Sequence, residues 1–557
     1  MTAWAPETFS ADEADVLRRY VTNLEGPVFA LVNLPEVVKG ALFARYSRSA
    51  KSLRRLFLDE FVSDLDVTGD ESIDATVGVR RAEELYERVF VAYGDDSVAQ
   101  LGGVHLACEQ ASNILTKVLE WGRLMAYLEQ STRYVPYDSR LATGHYRYYR
   151  DPDLLASPFG ARYVGEMDRV FDTYSELLPR MQSWLSRRFP KQAGDSDLVY
   201  RQSIRAQALD ALRGLLPAAS LSNVGLYGTG QSYEQLLLRM RVHPLPEARA
   251  YAELMLGELR KVIPSFLRRV DRPDRGGAWS AYLDACYHQT EEIAHRLTAD
   301  LAGGGGGTSG PPGASVGGPG VTLVEFDPSG EDKVLAAILF PHANVPEDAL
   351  VERVAALTAA ERAALLHAYV GERTNRRHRP GRAFEATAYR FEIVCDYGAF
   401  RDLQRHRMLT VDWQRLGPDL GFEIPASVVE AGLADPYEES LARSADLCNQ
   451  LLPEFPEQAA YALALAYRIR FAMHMNAREA MHIIELRSGQ QGHPSYRLVA
   501  QAMHDLIDRT AGHHAIASAM QFVDHSSYDL SRLDAERHIE KRRVSGEPAP
   551  RPVGGNG

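Results

Sequence analysis

The sequence predicts an α+β protein with two domains in tandem. Three observations carry that prediction. A stretch rich in Gly, Pro and Ser, residues 302–320, divides the 557 residues into two halves, each long enough for its own core. The first half carries apolar residues at helical spacing over much of its length. The second half contains "AYRFEI", in which apolar and polar residues alternate as in a half-buried strand.

In chain order, the first domain spans 1–301. Helical spacing runs through 11–23, 52–62, 82–93, 107–128, 161–188, 233–241 and 247–263. The linker 302–320 contains nothing that can bury a core, and no GK[ST] follows its glycines. The second domain, 321–545, opens on the strand-like "GVTLVEFD" and continues with helices over 346–357 and 359–371. The alternating strand leads into a basic helix over 398–409. A last helical region runs over 457–487, after Pro456 and before Gly489. The tail 546–557 has the composition of a disordered segment.

Composition excludes several classes. The formal net charge of -12 argues against general nucleic-acid binding. Mean hydropathy is -0.26 and no run of 18 apolar residues occurs, which predicts no membrane span. The N-terminus does not read as a secretory signal. Cys108, Cys286, Cys395 and Cys448 lie far apart without a CxxC pair. They read as free thiols of a cytoplasmic protein rather than as a disulfide or metal set.

Three constellations can carry chemistry. "DYGAFRDLQRHRMLT", 396–410, gathers Arg401, Arg405, His406 and Arg407 within seven residues. Such a cluster suits a phosphate or another anion. Two fixed cations flanking His406 predict a neutral imidazole. The alternative is a solvated helix face with Asp402 offsetting part of the charge.

In "AYLEQSTRYVPYD", 126–138, an extended backbone would place Glu129, Ser131 and Arg133 on one face. A hydroxyl beside an arginine suits a phosphate oxygen. An exposed strand of alternating polarity is the alternative. No histidine stands close enough in sequence to make Ser131 a nucleophile.

In "MNAREAMHIIELRSGQQGHPSYR", 475–497, a continuous helix would put Asn476, Ile483 and Arg487 on one face, with His474 and His482 beside it. HExxH is absent, so these histidines, like His513 and His514, read as core or surface residues and not as metal ligands.

Together these stretches resemble the flavin-dependent thymidylate synthases. That family carries RHR, then ExSxRY, then a helix bearing NAR…LR. Here "RHR" stands at 405–407, "EQSTRY" at 129–134 and "NAREAMHIIELR" at 476–487. "HRPGRAFEATAYRFEI" resembles the stretch ahead of RHR, with His378 and Glu385 in its histidine and glutamate positions. The motifs are divided between the halves. "WGR", Trp121 to Arg123, stands where the first half should have RHR, and "DWQRLGP" replaces the second half's ExSxRY. The first half's "LRGLLP" resembles a nucleotide-binding segment and supplies Arg213.

The resemblance implies two such domains in tandem, each a twisted sheet packed with long helices. Each half looks like a degenerate copy, and the losses are complementary. The family's site lies between subunits, so a tandem chain could form a composite site from its halves. The implied reaction is reductive methylation of dUMP to dTMP with methylenetetrahydrofolate, FAD and NADPH. Implied at the nucleotide are Glu129, Ser131, Arg133 and Arg213, with Arg405 and Arg487 at the pyrimidine ring as catalytic residues. His378, Arg405, His406, Arg407 and Asn476 would hold the flavin, with Ser47 near its phosphates. A homodimer forming a pseudo-tetramer is the implied assembly.

Four positions depart from the family pattern. Its glutamine three residues before RHR is Asp402, its later asparagines are Asp412 and His482, and its serine after RHR is Thr410. Asp402 leaves open C5 modification of another pyrimidine nucleotide. The degeneracy of both halves leaves open an inactive nucleotide-binding or scaffold protein.

Overall fold

The structure, a computed structural model, describes residues 4–5, 7–34, 39, 42–43, 46, 49–60, 100, 102–192, 195–301 and 319–526. The helix read over 82–93, most of the linker, the tail 546–557 and the flavin candidate Ser47 lie outside the described residues.

Two four-stranded antiparallel sheets organise the chain, and they share one topology. In the first, β1 (Val28–Leu31), β2 (Gly103–Ser112), β3 (Met125–Glu129) and β4 (Leu221–Thr229) stand in the order β1-β2-β4-β3. In the second, β5 (Gly320–Phe326), β6 (Ala388–Asp396), β7 (Thr410–Trp413) and β8 (Arg468–Asn476) stand in the order β5-β6-β8-β7. A helix follows the equivalent strand in each: Asn113–Leu119 after β2 and Tyr397–Leu403 after β6, then Gly230–Arg241 after β4 and Ala477–Arg487 after β8. The repeated order makes the halves structural duplicates and confirms the α+β tandem.

The sheets correct three helix expectations. Residues 107–128 form the end of β2, the helix Asn113–Leu119 and β3. β2 is buried on both faces over most of its length, so it shows no alternation that would mark it as a strand. Within 457–487, the chain forms a short turn Ala459–Ala462, then β8, and only then a helix from Ala477. The cue was present: Ile469, Phe471, Met473 and Met475 are buried and alternate with polar or small residues. The basic helix 398–409 ends at Leu403, so Arg405, His406 and Arg407 lie on the connection to β7. The helix expected over 11–23 is also shorter, Ala11–Leu17, opening on a Ser10–Glu13 capping box.

The chain forms two compact units that do not coincide with its sequence halves. The first comprises Met1–Glu176, Leu215–Gly313 and Glu439–Ala464. The second comprises Leu177–Gly214, Ala314–Glu438 and Leu465–Gly557. Each unit thus takes one segment from the other half. In the first unit, Leu17, Phe29, Leu31, Tyr46, Leu53 and Phe57 form a core cluster against β1 and β2. Within it, Ala218 N–H donates to Leu463 O at 2.7 Å, and Tyr461 Oη donates to Glu247 at 2.6 Å. In the second unit, Tyr389, Phe391 and Ile393 from β6 are buried, as are Ile483, Val499 and Met503. There the borrowed helix Asp197–Leu212 leads into Gly214, whose carbonyl accepts from Ala466 N–H at 2.9 Å.

Candidate nucleotide site

The second unit brings cations from both halves around one carboxylate. Asp402 Oδ2 accepts from Arg213 Nη1 at 3.3 Å, and Oδ1 accepts from Arg405 Nη2. Arg487 Nη1 lies 3.8 Å from the same Oδ1. Arg213 is buried at the end of the borrowed helix, and its Nε and Nη2 donate no hydrogen bond among the described residues. Its Nη2 has Asp396 Oδ1 at 3.9 Å. A buried guanidinium with N–H groups left over favours an anionic acceptor.

Local structure explains why Arg213 fits there. A Cβ on Gly398 would lie 3.2 Å from Arg213 Nε, 3.3 Å from Nη2 and 2.9 Å from Asp396 Oδ1. The missing side chain lets the guanidinium lie against the first turn of Tyr397–Leu403. Asp396 caps that helix, accepting from Ala399 N–H at 2.8 Å, and Ser495 Oγ donates to its other oxygen. Burial raises the Asp396 pKa, and the Arg213 charge opposes that shift.

His406 is buried beside Arg487, whose Nε–H donates to His406 Nε2 at 2.9 Å. An imidazole nitrogen that accepts has its lone pair free, so the ring proton sits on Nδ1, 3.6 Å from Glu479 Oε1. Burial holds the imidazole well below its usual pKa, and the Arg487 charge pushes the same way. The neutral His406 expected from sequence therefore holds, but desolvation is the leading cause. Arg487 is itself lowered by burial. Glu479 is pushed up to about 7, again chiefly by burial. His406, Glu479 and His482 have ligand atoms close enough for a metal ion. The Arg487 bond occupies the Nε2 lone pair and leaves Nδ1 protonated, so this arrangement opposes metal binding.

The remaining expected residues take several positions. Asn476 caps the helix Ala477–Arg487, its Oδ1 accepting from Glu479 N–H at 2.9 Å. It therefore stands immediately before that helix, with extended backbone, rather than on a continuous helical face. His378 is exposed, with Thr374 Oγ1 3.3 Å from its Nδ1. Its carbonyl accepts from Arg373 Nε at 2.6 Å, and Arg373 also makes a buried two-pronged pair with Glu485 at 2.6 and 2.7 Å. Arg407 is exposed. Glu385 pairs with Arg382 and Arg478.

Glu129, Ser131 and Arg133 belong to the first unit. β3 ends at Glu129, so Ser131 and Arg133 lie in a turn, and the shared extended face does not form. Arg133 N–H donates to Ser131 Oγ at 3.3 Å. Glu129 is buried, with Oε2 3.4 Å from Lys117 Nζ, which also binds Glu120 at 2.6 Å. "WGR" follows the helix after β2 just as "RHR" follows the helix after β6. There Trp121 stacks under the Arg239 guanidinium at 4.6 Å.

Sequence reading missed Glu479, Ser495 and Arg373. The Ser495 position did carry a cue: it follows Pro494 at the start of a helix, as Glu247 follows Pro246. The two meet the corresponding helix-cap residue in their own units: Ser495 Oγ donates to Asp396, and Glu247 accepts from Ser112 Oγ.

The duplicated sheets and helix order define a two-copy α+β protein, each copy with a helix capping its second strand. The chain belongs to the thymidylate synthase complementing protein family, whose model matches residues 43–265 and 322–511. Similar over most of its length are proteins named UPF0159 protein. One, from Chlamydia pneumoniae, is 39% identical over 96% of this chain and 98% of its own. Another, from Thermoplasma acidophilum, is 32% identical over 89% of this chain and 97% of its own. Among solved structures, a UMP/dUMP methylase PolB from Streptomyces cacaoi bound with 5-Br dUMP aligns at a TM-score of 0.30. It shares 17% identity, over 36% of this chain and 95% of its own. No described helix is long and apolar enough to cross a membrane.

Proposed function

We propose that the chain is a flavin-dependent thymidylate synthase that methylates dUMP at C5 using methylenetetrahydrofolate and NADPH. The observation that carries this reading is Arg213, a first-half residue, beside Asp402, Arg405 and Arg487 of the second half. Family membership supports the same reading.

In this reading Arg213 binds a nucleotide phosphate; Ser131 and Arg133 are offered to a phosphate and Glu129 to a sugar or base, as the family resemblance implies. Arg405 and Arg487 face the pyrimidine ring. Their fixed charges stabilise the enolate-like charge that develops on the ring carbonyl during attack from C5. Both are half-buried, and the lower effective dielectric there strengthens that effect. Neutral His406 positions Arg487 by accepting its Nε–H.

The residues fit a flavin dinucleotide. Arg376, Arg379 and Arg407 are exposed, and their charges act on His482 or Glu479 of the helix Ala477–Arg487, with Arg379 Nη2 3.0 Å from His482 Nδ1. Such cations suit a diphosphate. His378, Arg405, His406, Arg407 and Asn476 would hold the group; Ser47, which the resemblance also implies, lies outside the described residues. When bound, the reduced flavin supplies the hydride.

Asp402 favours a second reading, in which the substrate is another pyrimidine nucleotide. A carboxylate only accepts hydrogen bonds, so it suits a ring amino group better than a carbonyl. One experiment separates these readings. The purified protein should carry FAD and convert dUMP to dTMP, and it should rescue a thymidine-requiring strain. A yellow protein without rescue supports the second reading, and a protein that takes up no FAD sinks both.

A further inference from the structure

A second set of ligand-type side chains lies in the second unit, away from the arginine cluster. His504, Asp505 and His525 each bring one nitrogen or carboxylate oxygen within 4.8 Å of the others. No sequence motif marks them, and the reading above assigns them no role.

The helix Pro494–Arg509 builds this cluster. Arg497, Gln501 and His504 recur at i, i+4 and i+7, so they share one face. Gln501 Nε2 donates to Asp524 O at 2.8 Å, and Arg497 Nη2 donates to Ser526 O at 3.1 Å. Both neighbours of His525 are thereby pinned to the face that carries His504. Asp524 N–H adds a bond to Ser488 Oγ at 3.1 Å. The backbone on either side, rather than the ring's own contacts, brings His525 to this position.

Protonation follows from the partners. His504 Nε2 lies 3.1 Å from Ala517 O. A carbonyl can only accept, so Nε2 carries the proton and Nδ1 presents its lone pair. That lone pair faces His525 Nε2 at 3.2 Å. A ring N–H held by a backbone carbonyl is the usual support of a metal-bound histidine. Two imidazole nitrogens on one tetrahedral ion, each at about 2.0–2.1 Å, stand about 3.4 Å apart. The observed 3.2 Å is close to that edge. A plain His525-to-His504 hydrogen bond would explain the separation equally well, but it gives Asp505 no part.

We propose that His504 Nδ1, His525 Nε2 and the Asp505 carboxylate bind a divalent transition-metal ion of the zinc, cobalt and nickel class. Two imidazoles select these ions over magnesium or calcium, which take oxygen ligands. Water completes the coordination, because His525 is exposed. The ion fastens the segment after the helix His514–Ala519 back onto Pro494–Arg509.

The test uses the full chain without an affinity tag, stripped with EDTA and titrated with Co2+. One equivalent should bind and develop the visible absorption of a nitrogen-ligated cobalt ion, and Zn2+ should displace it. His525→Ala removes a ligand outside the helix and should weaken binding at least about 100-fold, beyond the 10–100-fold that loss of a supporting group costs. Asp505→Asn should weaken it as well. Zn2+ should slow amide exchange at residues 524–526 in the wild type and not in His525→Ala. Absence of stoichiometric binding, or unchanged binding in folded His525→Ala, overturns the proposal.

Discussion

Arg213 Nη1 stands 3.3 Å from Asp402 Oδ2, a contact between residues 189 positions apart on opposite sides of the linker. The carboxylate also meets Arg405 and Arg487. A ligand anion entering this cluster must compete with Asp402. Asp402→Asn is therefore expected to tighten dUMP binding about tenfold, equivalent to about 1.4 kcal/mol. Isothermal titration at two salt concentrations checks this, and unchanged or weaker binding refutes it.

Gly398 supplies the space for Arg213. Gly398→Ala places a methyl group against the guanidinium and Asp396. It should cost about 1–3 kcal/mol of stability, as overpacking does, and weaken nucleotide binding. Gly165 is the contrast: it lies exposed inside the helix Gly160–Arg188, and a Cβ there meets nothing within 4 Å. Gly165→Ala should stabilise the protein by about 0.5–1 kcal/mol. Urea unfolding of both variants gives the comparison.

Glu479 should make stability depend on pH. Burial raises its folded pKa to about 7 from the ordinary 4.5, so the folded state keeps a proton that the unfolded chain releases. Its contribution is complete below about pH 4.5 and is lost as pH rises toward 7. Glu479→Gln cannot ionise. Relative to wild type it should gain about 1–3 kcal/mol at pH 8 and almost nothing at pH 4.5. Unfolding curves at both values decide the matter, and a gain independent of pH would refute it.

The Arg373–Glu485 pair is fully buried. Arg373→Met alone leaves a carboxylate without its partner and should cost about 3–5 kcal/mol. The double variant Arg373→Met/Glu485→Leu should recover much of that loss. A double-mutant cycle without coupling would show that the backbone bonds from Arg373 to His378 and Ala519 carry the effect instead.

Segment exchange bears on folding. Residues Leu177–Gly214 belong to the second unit and Glu439–Ala464 to the first. Chains ending or starting within the linker should each be poorly soluble alone, and co-expression should restore a soluble complex. Two independently stable halves, shown by size-exclusion chromatography and calorimetry, would contradict this.

The sequence by itself determined the tandem organisation, the strand β6 and the residues of the basic cluster. β6 was legible because one face is buried and the other is not, which writes a period of two into Tyr389, Phe391 and Ile393. β2 was not legible, because burial on both faces erases that period. The helix expected through 398–409 failed because apolar spacing cannot show where Leu403 ends the last turn. Only the tertiary structure decided what Asp402 faces. Its partners Arg213 and Arg487 come from distant segments, and charge complementarity across such distances leaves no local spacing to read. The same holds for His406. Its sequence neighbours predicted a neutral ring, but the burial that chiefly makes it so comes from the packing around it.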